Sequence, residues 1–505
     1  MDIFSNLGSG FSTALTPENL FFAFLGCVIG TLIGVLPGIG SVATVALLIP
    51  ITFGMDPTTG IIMMAGVYYG AMYGGSTTSI LVNTPGEPSS VVTTLDGYQM
   101  SRQGRAAPAL ATAAIGSFIA GTISTVGLML FAPLLASFAL RFGPAQYFAI
   151  MVLGLTTVSS LTSASVPKSL MAMLLGLGIA TIGLDSGGWP RFTFDRIELY
   201  DGIDFLIVAI GLFAVAEVFW TVATMKRDTI QRTEFKGRAW LSREDVRRSR
   251  GPWFRGSFLG FVVGVLPGAG ATVAAFLSYG MEKRLSKHPE EFGKGAIEGV
   301  AGPEAANNAS VGGAMIPMMT LGIPGSGTTA VLMAAFLTFG LQPGPLLFEQ
   351  HADFAWALIA SMYIGNVMLL VLNLPLVSVF ARLIDIRPTI LFPLVLLFSI
   401  IGVYGVNRST IDVLMMLGFG VLGFFMRRYE IPPAPVILAM VLGPGMELNF
   451  RRAMALSDGD ATIFVTGVLI NVLWVLALLS LFSPQIQGYI QRKRGWRLIT
   501  DDQTE

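Results

Sequence analysis

Proline set between glycines inside an apolar run is the first pattern in this chain with a chemical consequence. Gly34-Val-Leu-Pro-Gly-Ile-Gly40 carries it, and Gly264-Val-Leu-Pro-Gly-Ala-Gly270 repeats it. Proline has no N–H to give a helix, and Gly38, Gly40, Gly268 and Gly270 accept positive φ, so both stretches are expected to unwind. The helix that restarts at Ser41, or after Gly270, presents unpaired amides and a positive dipole end, which attracts carboxylates. The alternative is a proline kink that only shapes packing.

A second pair of motifs is richer in oxygen. Gly75-Ser-Thr-Thr-Ser79 leads into Asn83-Thr-Pro-Gly86, while Glu304, Asn307, Asn308 and Ser310 precede Gly322-Ile-Pro-Gly-Ser-Gly-Thr-Thr329. Hydroxyls and freed carbonyls suit a cation such as Na⁺, which makes Ser76, Thr77, Thr78, Thr328 and Thr329 candidate cation ligands. Asn83, Thr84, Pro85, Gly86, Asn307, Asn308, Pro324, Gly325 and Ser326 join Gly38, Gly40, Ser41, Gly268 and Gly270 as candidate substrate contacts. The competing reading is that the Ser and Thr hydroxyls are interhelical packing contacts.

Such residues need elements to hold them, and composition says which. Of 505 residues, 53% are hydrophobic and 12% charged, against about 25% charged in soluble domains. The mean hydropathy is +0.70. An integral membrane protein follows. Lys+Arg and Asp+Glu both total 31, so nothing recommends nucleic acid as a partner. One cysteine, Cys27, excludes a disulfide framework, and two histidines, His288 and His351, are too few for a His-rich metal centre. No organic cofactor, metal beyond Na⁺, or catalytic constellation is expected.

Apolar stretches long enough for a bilayer, or nearly so, are expected at 20–53, 61–82, 107–140, 144–163, 169–184, 203–224, 254–279, 311–339, 354–380, 389–406, 411–426, 435–446 and 462–482. This is an all-α polytopic protein with roughly 10–14 membrane segments. Segments 20–53 and 254–279 are interrupted by Pro and Gly and read as broken helices. Met1–Asn19 lacks Lys, Arg and a cleavage pattern, so the first apolar segment is expected to stay. Ten Lys/Arg between Lys226 and Arg255, and Arg492, Lys493, Arg494 and Arg497 at the other end, belong in the cytoplasm. The acid-rich 185–204 loop and the N-terminus belong outside. Charged residues within spans read as almost absent. Glu217 is the exception, read as an interfacial residue near Lys226; Lys168 and Glu87 read as loop residues.

The two motif pairs recur in the same order, which points to a duplication. With the first copy starting outside and the second inside, the copies are inverted, a signature of secondary transporters. The expected organisation is a first half over 1–224, a basic cytoplasmic loop over 225–253, a second half over 254–490 and a cytoplasmic tail over 491–505.

These motifs, with Ser79-Ile-Leu-Val-Asn-Thr-Pro-Gly86, Gly302-Pro-Glu-Ala-Ala-Asn-Asn308, Leu321-Gly-Ile-Pro-Gly-Ser326, Arg191-Phe-Thr-Phe194, Asp201-Gly202 and Leu442-Gly-Pro-Gly-Met-Glu447, resemble the large membrane subunit of tripartite tricarboxylate transporters. The likeness runs through nearly the whole chain. It implies a bacterial inner-membrane system that takes up carboxylates such as citrate on an ion gradient, without ATP. It also implies a smaller membrane subunit and a periplasmic solute-binding protein as partners. Energetics independently favours cation coupling by Na⁺ or H⁺. An entering dianion faces roughly 4.6 kcal/mol at 100 mV, inside negative, which co-transported cations would offset. The scarcity of acids in the spans favours Na⁺ on neutral oxygens over a carboxylate proton relay. The rival readings are an autonomous secondary carrier, a channel for another small solute, an intramembrane enzyme and a scaffold.

Overall fold

The computed structural model describes residues 3–36, 40–161, 166–185, 187–224, 240–267, 270–381 and 388–494. Gly38, Gly268, most of the basic 225–253 loop and most of the 491–505 tail lie outside the described residues. The longer helices, in chain order, are α1 (Ile3–Ala14), α2 (Pro17–Val35), α3 (Gly40–Leu48), α4 (Pro57–Val82), α5 (Ala106–Ala139), α6 (Pro144–Leu161), α7 (Val166–Ala180) and α8 (Phe205–Thr224). They continue as α9 (Arg243–Val265), α10 (Gly270–Leu285), α11 (Glu298–Leu321), α12 (Gly327–Thr338), α13 (Ala352–Asn373), α14 (Pro388–Asn407), α15 (Thr410–Arg428), α16 (Ala434–Leu456) and α17 (Val468–Arg494).

Local chemistry explains where these helices stop. The residue before a proline is pushed out of the helical region. Leu36, before Pro37, has φ −94° and ψ 110°, and Leu266, before Pro267, has φ −77° and ψ 116°. Both chains re-enter a helix through a left-handed glycine, Gly40 at φ +69° and Gly270 at φ +62°. The helices that follow also end alike. Asn83 closes α4 at φ 56°, ψ 28°, and Gly322 closes α11 at φ 68°, ψ 31°; Asn and Gly are the residues that tolerate this conformation. The break at Gly322 corrects the expectation of one continuous span over 311–339. Two helices stand there, and α11 begins at Glu298, well before the expected start.

The broken helices pack through glycine rows. In α2, an added Cβ at Gly26, Gly30 or Gly34 would fall 2.1, 2.4 or 2.4 Å from the carbonyl oxygens of Met63, Val67 and Ala71 in α4. In α9, Gly256, Gly260 and Gly264 stand 2.3, 2.2 and 2.4 Å by the same measure from the carbonyls of Gly302, Ala306 and Ser310 in α11. Small residues four apart let two backbones touch, the packing that apolar surroundings reward. The sequence-related tips then cross over. α3 packs against α12, and α10 packs against the turn Pro88–Ser90 that follows α4.

Among the described residues, five helices, Pro17–Val35, Ala106–Ala139, Phe205–Thr224, Ala352–Asn373 and Thr410–Arg428, are each long and apolar enough to cross a membrane. Their outward faces show Phe21, Phe131, Leu134 and Leu414, side chains suited to lipid. At one end, a two-stranded hairpin pairs Gly183–Leu184 with Pro190–Arg191. Arg191 donates two bonds to Glu447 of α16 (3.1 and 3.0 Å), and Arg451 joins Glu447 (2.8 Å) to Asp185 (2.9 Å). The Trp189 amide, then Gly187 and Arg451, hold the Asp185 carboxyl below its usual range.

Candidate functional site

The Pro-Gly tips converge in the interior. Ser41, in the first turn of α3, shares a 2.9 Å hydrogen bond with the Thr328 hydroxyl of α12. Its backbone N–H donates to the carboxylate of Glu87, which is 5% exposed. Tyr68 of α4 reaches Ser326 at 3.2 Å and packs beside Met72, Val311 and Ala271, so the start of α10 closes the same region. Gly86 lies so close to α2 that a Cβ there would sit 1.9 Å from the Gly34 carbonyl. Glu87 N–H donates to Ser90 Oγ at 3.3 Å, and Ser326 N–H donates to Thr329 Oγ1 at 2.7 Å. Each second tip thus begins its next helical turn on a hydroxyl cap.

Of the expected substrate contacts, Gly40, Ser41, Gly86 and Ser326 therefore gather at one place with Thr328 and Thr329, and Gly270 approaches it through Ala271. Pro324 and Gly325 are buried behind the second tip, Gly325 against Ala314. Asn83 is exposed, while Thr84 and Pro85 are half-buried; Thr84 donates to the Val82 carbonyl at 3.3 Å.

Ser76, Asn307 and Asn308 belong to a second cluster around Glu304, whereas Thr78 stands beside Gly86. Ser76 Oγ donates to Glu304 Oε2 at 2.5 Å, and Thr93 donates to Glu304 Oε1. Asn308 Nδ2 donates to Ser117 Oγ at 2.7 Å and to the Glu304 carbonyl at 3.0 Å. Asn307 is 0% exposed beside Glu304, and among the described residues neither amide atom makes a well-formed hydrogen bond. Thr77 borders a small void with Tyr73, Ser117 and Asn373, and Thr78 donates to the Gly75 carbonyl at 3.2 Å.

Two acids missing from the expected site thus stand at its centre. Glu87 does lie in a loop, as expected, but it is buried there and accepts a bond from the start of α3, and Glu304, at 0% exposure, lies inside a helix. This corrects the expectation that charged residues are almost absent from the interior. The signal in the sequence was Glu304 set in Gly302-Pro-Glu-Ala-Ala-Asn-Asn308, an acid among alanines with amides three and four residues on. Lys168 sits in the first turn of α7 and pairs with Glu430 at 3.2 Å. Glu217 pairs with Arg427, which stacks on Trp220 at 4.9 Å; Lys226, its expected neighbour, lies outside the described residues.

A larger cavity of 1040 Å³ opens elsewhere, under the hairpin loop, lined by Glu198, Asp201, Asp204 and Asp412. Four carboxylates line that mouth, which disfavours an anion there.

Broken helices meeting in the interior, inside an apolar exterior, define an all-α polytopic membrane protein. The chain belongs to the tripartite tricarboxylate transporter TctA family, whose profile matches residues 20–438. It is accordingly a transporter rather than an enzyme, from a family that works in multi-component assemblies. It is 50% identical, over 99% of its own length and 100% of the relative, to an "uncharacterized 52.8 kDa protein in TAR-I ttuC' 3'region" of Agrobacterium vitis. An "uncharacterized protein in TAR-II ttuC' 3'region" of the same organism is 44% identical over 48% of this chain and 100% of that relative. No solved structure matches the chain.

Proposed function

We propose that this chain is the substrate-translocating large subunit of a binding-protein-dependent secondary transporter in the bacterial inner membrane. It takes up di- or tricarboxylates such as citrate on a cation gradient, with Na⁺ as the coupling ion. A small membrane subunit and a periplasmic solute-binding protein complete the assembly. Two inverted halves alternate access to a site between their Pro-Gly tips.

The observation that carries this reading is the meeting of Ser41, Thr328, Ser326 and Tyr68 where α3 and α12 begin. Freed amides and hydroxyls there can bind carboxylate oxygens. The two sides differ in charge. Glu87 already supplies a carboxylate to α3, whereas Ser326, at the equivalent place in the second motif, is neutral. An incoming carboxylate is therefore best received by the Gly270 end of α10, with Ser326 and Tyr68 beside it.

The test is uptake into proteoliposomes holding this chain and its small membrane partner, with and without the binding protein, under an imposed Na⁺ gradient. Accumulation of a di- or tricarboxylate that needs both sodium and the binding protein is expected. Accumulation without the binding protein would make the chain an autonomous carrier. Equilibration without accumulation would make it a channel.

A further inference from the structure

We infer that Glu304, Ser76, Thr93 and Asn307 form a sodium-binding site between α4, the short turn Val91–Thr93 and α11. Its role in coupling rests on the transporter reading above; its existence rests on the geometry alone.

Most of the other buried acids have evident partners. Arg255 holds Glu282 at 2.5 Å, Arg105 holds Asp245 at 2.6 Å, and Arg248 holds Glu298 at 2.7 Å. Asp96 accepts three backbone N–H bonds, from Gly293, Gly295 and Ala296 at 2.8 to 2.9 Å, and one from Tyr279 Oη at 2.9 Å. Glu87 has the first turn of α3. Glu304 is different. No basic side chain pairs with it among the described residues, and its two oxygens meet only the Ser76 and Thr93 hydroxyls, with the Asn307 amide alongside. Two neutral hydroxyls do not offset a full buried charge.

Asn307 supplies the independent observation. One turn after Glu304 on the same face of α11, it is fully buried beside the Glu304 carboxylate, and among the described residues neither amide atom has a well-formed hydrogen bond. A native protein rarely leaves such a group without a partner. The ligand atoms that converge are two carboxylate oxygens and two hydroxyl oxygens, with the Asn307 side-chain amide, which can turn its oxygen inward, beside them. They are hard ligands with a single negative charge among them, which matches a monovalent metal ion. A divalent ion would bring one uncompensated positive charge into the interior, and soft metals would want the nitrogen or sulfur ligands that are missing here. A proton would neutralise the carboxyl but would use only one acceptor of the set.

The placement gives the ion something to couple. Ser76 lies on α4, which runs to the Asn83–Glu87 tip, and Thr93 follows that tip. Glu304 and Asn307 lie on α11, which runs to the Gly322–Ser326 tip. An ion that draws these oxygens together fixes α4 against α11 and so sets the spacing of both tips.

The experiment is ²²Na⁺ binding to the full chain in lipid nanodiscs, with choline replacing sodium and K⁺ as competitor. Carboxylate accumulation is measured separately in proteoliposomes. Saturable binding that resists equimolar K⁺ is expected, weakened at least tenfold by Glu304→Gln and measurably by Thr93→Val and Ser76→Ala. Undiminished binding in a monodisperse Glu304→Gln protein would overturn the site. Should that variant fail to fold, undiminished binding in both Thr93→Val and Ser76→Ala would do so. Wild-type carboxylate accumulation with no sodium bound would overturn this inference and leave the transporter reading intact. Sodium binding that depends on Glu304 without carboxylate accumulation would do the reverse.

Discussion

At the scale of single residues, Glu87 shows how an acid can be seated in an apolar interior with no basic partner among the described residues. Its carboxylate accepts the Ser41 N–H at the start of α3, where unpaired amides and the helix dipole favour negative charge. Glu87→Gln keeps an acceptor of the same shape and removes the charge. It is expected to cost about 1–2 kcal/mol, lowering the melting midpoint in detergent by about 1–4 °C. Glu87→Ala also leaves the Ser41 amide unpaired and should lower it further. Identical midpoints for wild type and both variants would show that this carboxylate does not hold the tip. Neither Glu87 nor Glu304 was legible as buried, because an acid beside Pro-Gly or at the edge of an apolar run normally marks a loop. Burial here depends on what packs over them. Gly34 and Ser41 close over the Glu87 turn, and Ser76 and Thr93 come from distant sequence to meet Glu304.

At the scale of elements, the chain punctuates its own breaks. Pro37 and Pro267 force Leu36 and Leu266 out of the helix, so those interruptions could be read directly from residue types. The break at Gly322 was harder to place, because Leu321-Gly-Ile-Pro sits in a run that is apolar on both sides. Burial also hid the true start of α11, since Glu298 is tied to Arg248 and its turn counts as polar in sequence. The glycine rows of α2 and α9 are visible as residues but not as contacts, because each needs the partner helix's carbonyls to acquire meaning. That meaning is testable with a matched pair. Gly260→Ala would place a methyl 2.2 Å from the Ala306 carbonyl, whereas Gly280→Ala in α10 meets nothing within 4 Å. The first is expected to destabilise by about 1–3 kcal/mol, and the second to be neutral or stabilising by roughly 0.5–1 kcal/mol through helix propensity. Thermal unfolding of both proteins in one detergent checks this, and equal midpoints would remove the row from the list of determinants.

At the scale of the whole molecule, the reciprocal crossing of the tips sets the possible motion. α3 rests on α12, and α10 rests on the turn after α4, so a tip from each motif pair is seated on the other. If the halves move against one another to expose the site alternately, the Ser41–Thr328 contact must open and close in each cycle. The contact is a single hydrogen bond of 2.9 Å between small side chains, a separation that two cysteines could bridge. Cys27, the one native cysteine, is buried and can be replaced beforehand by Cys27→Ala. In that background, Ser41→Cys with Thr328→Cys should form a disulfide on mild oxidation, seen as altered mobility after proteolysis between the two positions. Carboxylate uptake should then fall at least tenfold and return on reduction, while each single cysteine variant stays insensitive to the oxidant. Full uptake by the cross-linked protein would mean that α3 and α12 travel as one body. The moving boundary would then have to lie elsewhere, between this joined pair and the helices packed around it.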